Sequence, residues 1–124
     1  MKTFCKCRIS YLPVLCVIAY FLTVAGLSAQ DQYFRSKLTG YSMYPTIKSG
    51  EYVLYVKTTV QDLNNGDIIV YKDRFTGERV CHRVVNIIDG RVKAKGDNNR
   101  FRDRGFITDE ELIGLVTHIK NKPT

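Results

Sequence analysis

The stretch ERVCHRVVNIIDGRVKAK, residues 78–95, decides the fold class. Val, Ile and other β-formers dominate its two runs, 78–88 and 91–95, and the Asp89-Gly90 pair between them is a turn signal. The same pattern extends in both directions. Upstream lie EYVLYVK (51–57) and DIIVYK (67–72), with NNGD (64–67) and FTGE (75–78) as turns; downstream lie KGDNN (95–99) and IGLVTHI (113–119). Short strands broken by turns in this way predict a mainly β domain, either a small barrel or a pair of packed sheets. Helix is expected only in the N-terminal apolar segment and in one turn near TDEEL (108–112), where Thr108 and Glu111 have the capping-box spacing. The polar segment DQYFRSKLTG (31–40) reads as a connection.

From Ile9 through Gln30 no residue is charged, a run long enough to cross a hydrocarbon core of about 30 Å as a helix. Lys2, Lys6 and Arg8 precede it and the first acid, Asp31, follows it. The asymmetry places residues 1–8 in the cytosol, 9–30 in the membrane as a single anchor, and 31–124 on the extracytoplasmic side. A cleaved signal peptide is the competing reading. Its ending AGLSAQ (25–30) offers Ala29 as a cleavage point but has Leu27 where a small residue is wanted, so the retained anchor is favoured. Either way the domain is exported, and its ~95 residues suffice for one small core.

With 19 basic and 12 acidic residues the chain carries +7, of which about +4 belongs to residues 31–124. Its densest basic run, RFRDRG (100–105), is interrupted by acid and glycine, which argues against a nucleic-acid partner. Three of the four cysteines, Cys5, Cys7 and Cys16, precede residue 31, so Cys81 has no partner for a disulfide within the exported part.

Within GYSMYPTIKSG (40–50), Ser42 precedes Pro45 in what reads locally as a turn. A serine hydroxyl becomes a nucleophile only when a base takes its proton. The chain has two histidines. His118, in the last run, reads as structural. His82 shares a strand face with Val80 and Val84, where a partly desolvated imidazole steered by a carboxylate has the properties of a general base. KGDNNRFRDRG (95–105) supplies two carboxylates, Asp97 and Asp103, although GDNN by itself is a turn sequence.

Taken in order, GYSMYPTIKSGEYVLYV, NNGDIIVYKD, CHRVV, KAKGDNNRFRDRG and IGLVTHI resemble the boxes of type I signal peptidases (peptidase family S26), over about Leu38 to Ile119. That family contains members with lysine where this chain has His82, and an archaeal and endoplasmic-reticulum-like type with histidine there; this chain is similar to the histidine type. The resemblance implies a small signal-peptidase-like β domain behind one N-terminal transmembrane helix, in the cell membrane. It implies Ser42 as nucleophile, His82 as general base, Asp103 as acidic partner and Asp97 as support, with Met43, Tyr44 and Pro45 beside the substrate and no metal or cofactor. The implied partners are signal-peptide-bearing pre-proteins and membrane lipid; the sequence leaves any partner subunit open.

The chain departs from that pattern at Gly40, where many members have a serine whose hydroxyl helps to hold the oxyanion; Thr39 or a backbone amide is then needed. Met43, Tyr44 and Ile47 suit an apolar rim and suit core packing equally. Other readings are a dedicated processing peptidase for a surface, pilus or conjugation protein, and a non-catalytic exported β domain that binds peptides. Self-cleaving repressor-type proteins share the Ser-Met motif but resemble the lysine type.

Overall fold

The computed structural model describes residues 30–121. They form six strands, β1 (Phe34–Lys37), β2 (Tyr52–Val56), β3 (Ile68–Lys72), β4 (Arg79–Ile88), β5 (Arg91–Lys95) and β6 (Leu112–Lys120), and a short 3-10 turn, Val60–Asp62. All join one antiparallel sheet in the order β1-β2-β6-β3-β4-β5. The mainly β expectation holds, and the sheet is a single layer of strands that no ladder closes from β1 to β5 among the described residues. The candidate anchor, 9–30, lies outside the described residues except for Gln30; among the described residues no helix is long and apolar enough to cross a membrane.

Each β-rich run of the sequence becomes a strand, because turn residues stop each ladder where expected. Between β4 and β5, Asp89 and Gly90 take φ of 50° and 67°, the doubly left-handed geometry of a two-residue hairpin. Strand alternation then sorts the core to the two faces of the sheet. Ile69, Tyr71, Val84, Val92 and Ala94 pack with Leu63 and Ile107 on one face, while Val53, Tyr55, Val70 and Cys81 pack with Met43 and Ile47 on the other. The central strand β3 is buried on both sides, each Val or Ile there contributing about 1.5–3 kcal/mol.

Two local expectations are corrected. Residues 34–37 are not a bare connection but the edge strand β1, paired to β2 from Phe34↔Tyr55 to Lys37↔Tyr52. TDEEL forms a turn and not a helix: Glu111 reaches back to the N–H and hydroxyl of Thr108 as a capping box would, but Leu112 enters β6 at once. Glu111 also pairs with Arg74, and Leu112 with the β3 ladder, so the extended chain wins.

Candidate active site

Strand β4 delivers three consecutive residues to three different surroundings. Cys81 enters the core under the 38–50 loop, its thiol pushed up to about 12 by burial first and then by the Asp97 charge, which leaves it a protonated packing residue. His82, 7% exposed, lies on the opposite side of the strand. Its Nδ1 is 2.6 Å from Asp103 Oδ2. Arg83 emerges again on the Cys81 side and grips Asp97 with two parallel bonds of 2.8 Å, Nε to Oδ1 and Nη2 to Oδ2.

Asp103 is held from the backbone as well, its N–H donating to Ala94 O at 2.9 Å across the turn that follows β5. The same Oδ2 that meets His82 accepts a bond of 2.7 Å from the Tyr71 hydroxyl. Burial works to raise the Asp103 carboxyl, but the bonds from His82 and Tyr71 outweigh it and hold the group below the usual carboxylate range. An ionised carboxylate only accepts, so the proton of this contact sits on Nδ1 and the lone pair of a neutral ring on Nε2. Burial, and then Asp103 itself, push the Tyr71 phenol far up, which keeps it a donor.

Nothing in the sequence around Tyr71 marks it for this role. It looks like one more strand aromatic, and its role depends on a register that puts Tyr71 opposite Val80, beside the Ile69↔His82 pair. Its ring also meets the imidazole edge-on at 6.3 Å. Tyr71→Phe should lower kcat about tenfold at unchanged KM, because Asp103 loses one of two fixed donors and steers the ring less firmly. Steady-state kinetics on Tyr71→Phe checks this; an unchanged kcat would show that Tyr71 only packs.

Asp97 joins the Ser42 loop to the sheet. Besides Arg83, its Oδ2 accepts the Thr46 hydroxyl at 2.6 Å, and its N–H lies 3.4 Å from Met43 Sδ. The next residue continues the clasp: Asn98 N–H donates to Ser42 O at 2.8 Å and Asn98 Nδ2 to Tyr41 O at 3.0 Å. Only glycine fits ahead of them, since a Cβ on Gly96 would stand 2.7 Å from Ser42 O. The GDNN turn is therefore a fastener for the serine loop.

Bonds from Arg83, then Thr46, keep the Asp97 carboxyl below its ordinary 3.8 against the opposing effect of burial. A depressed folded-state value means that the stability of this clasp is complete above the unfolded value and is lost as pH falls through the folded one. Asp97→Asn should cost about 1–2 kcal/mol at pH 7, with the gap to wild type closing on acidification well below pH ~4. Thermal melts of both proteins across that range test it; a gap that persists in acid would assign the loss to packing.

Ser42 and His82 line one cavity of about 310 Å³, with Leu38, Thr39, Val80 and Cys81 among its other walls. No hydrogen bond joins Ser42 Oγ to His82 among those of the described residues. Of Ser42's backbone groups the carbonyl is taken by Asn98, whereas the N–H has no partner among the described residues. Gly40 has φ +94°, a left-handed backbone that a serine would adopt only with strain, and its N–H donates to Ser49 Oγ at 3.2 Å. Met43 is fully buried, as is Ile47, so the expectation of Met43 beside the substrate is corrected: its side chain fills the core beneath the loop. Tyr44 and Pro45 stay exposed at the surface next to Ser42. His118 is exposed, its Nδ1 3.1 Å from Thr117 Oγ1, away from Asp103.

A buried histidine on a β sheet, paired with a half-buried carboxylate and lining a cavity together with a loop serine, is the arrangement of a serine-peptidase-type hydrolase. Residues 9–117 match the Peptidase S24-like family, and the chain belongs to that family. The signal peptidase complex catalytic subunit SEC11 of Colletotrichum graminicola is 29% identical over 87 residues, covering 60% of this chain and 51% of that protein. The chain thus spans about half the length of the curated relative it matches. This similarity agrees with the resemblance to histidine-type signal peptidases read from the sequence boxes.

Proposed function

We propose that the chain is a membrane-bound serine endopeptidase that removes signal peptides from exported pre-proteins. The observation that carries this reading is the His82–Asp103 contact, half-buried and doubly hydrogen-bonded at the carboxylate, with Ser42 on the wall of the cavity that His82 lines. Ser42 Oγ attacks the carbonyl of the scissile peptide while His82 Nε2 takes its proton, and the Asp103 charge stabilises the imidazolium that forms. The tetrahedral oxyanion falls to the Ser42 N–H, with Thr39 a wall residue able to add a second donor in place of the serine absent at position 40. The imidazolium then protonates the leaving amine, and water releases the acyl-enzyme by the same route in reverse.

A retained span at residues 9–30, with its N-terminus cytosolic, would hold this site on the extracytoplasmic side, in the bilayer that also holds the substrate's signal helix. Confinement raises the local concentration of the scissile bond and fixes its height above the lipid. The SEC11 protein is named as a catalytic subunit of a signal peptidase complex, which supports the same substrate class here.

The test is incubation of the purified full chain, in liposomes, with a signal-bearing pre-protein, followed by N-terminal sequencing of the product. Cleavage after a small residue at the end of the signal sequence is expected, and activity should fall on acidification because protonated imidazole accepts no proton. A substrate bound but left whole would favour the peptide-binding alternative, and cleavage confined to one surface or pilus protein the dedicated processing peptidase.

A further inference from the structure

A second cavity of about 360 Å³ adjoins the one that holds Ser42, and Arg79 lines both. Its floor is apolar: Phe34 and Tyr55 stack at 5.6 Å, with Ile113 beside them. Its charged walls are Arg35, Lys57 and Arg79, with no acid among its lining residues. In the first cavity Lys37 and Arg79 face a single acid, Glu78. The ion pairs of the described residues, Arg74–Glu111, His82–Asp103 and Arg83–Asp97, include none of these four cations. Arg35 and Lys57 instead lie over the Tyr52 and Phe34 rings at 4.8 and 5.8 Å. Arg79 is exposed and stands directly across the ladder from Lys72, a like-charge juxtaposition that costs stability.

Cations gathered around an apolar floor without a counter-ion hold a positive potential, and low-dielectric walls focus it. An anionic ligand relieves that repulsion. Arg79 belongs to both cavities, so a peptide lying past Ser42 in the first meets a cation that also lines the second. We propose that the paired cavities select substrates with a carboxylate side chain close to the scissile bond, its charge set between Arg79 and Lys57. This rests on the peptidase reading and adds a substrate class to it.

The experiment uses the full chain in neutral detergent and synthetic peptides of one cleavable signal-junction sequence, with Glu, Gln or Lys moved through the positions flanking the scissile bond. At one or two positions Glu should exceed Gln in kcat/KM about fivefold and Lys should fall below it, a preference that fades at high salt. Arg79→Glu should invert the Glu-to-Lys ratio, and Lys57→Glu should shrink it. All three peptide sets cleaved equally at every position would overturn the proposal while leaving the peptidase intact. So would a ratio that Arg79→Glu leaves untouched. Cations that instead control sedimentation of the chain with anionic over neutral vesicles, with no peptide preference, would belong to a lipid headgroup, which also overturns it. Failure of the wild type to cut any peptide would bring down the peptidase reading itself.

Discussion

Ser42→Ala should abolish cleavage, lowering kcat by about a millionfold, as expected when the nucleophile of a Ser-His unit is removed. The substitution deletes one hydroxyl from a half-buried loop residue and leaves the carbonyl bond to Asn98 and the Thr46 and Met43 contacts of Asp97 in place. Its melting temperature should therefore match wild type within experimental error. Single-turnover cleavage of a pre-protein, with a melt of the same sample, separates chemistry from folding. A variant that keeps its fold and more than a tenth of the rate would exclude acyl transfer through Ser42.

Asp103→Asn should lower kcat about ten-thousandfold at little cost in substrate affinity. An asparagine amide can donate to Nδ1, which moves the ring proton to Nε2 and points a donor where an acceptor is needed. It also leaves the imidazolium of the transition state without its compensating charge. Asp97 bonds to Arg83 and Thr46 and stays clear of the imidazole, so Asp97→Asn should act chiefly on stability. Kinetics on the two asparagine variants side by side decide the ranking. Loss of activity in Asp97→Asn with near-normal turnover in Asp103→Asn would transfer the acidic role to Asp97.

The strands were legible because each announces itself twice, by β-branched content and by the Gly, Asn or Asp that ends it. FRSK (34–37) has neither signal; its backbone becomes a strand only because β2 lies beside it, a tertiary fact. The His82–Asp103 pair was reached through the family resemblance and not through spacing, since 21 residues and a bulged hairpin separate the two. The roles of Tyr71 and Arg83 are invisible in the sequence because they depend on register and on which face a side chain leaves from. Met43 was ambiguous for a related reason: an apolar residue beside a nucleophile suits a rim or a core, and only the packing of Ile47, Val53 and Cys81 around it decides.

The position of β6 carries a temporal consequence. Strand order β1-β2-β6-β3-β4-β5 makes β6, the last strand of the described residues, the one that joins β1-β2 to β3-β4-β5. The chain passes through the Ser42 loop between β1 and β2, whereas His82 and Asp103 belong to the other group of strands. Until residues 112–120 have been made, β3-β4-β5 can pair among themselves, but no ladder joins them to the two strands that flank the Ser42 loop.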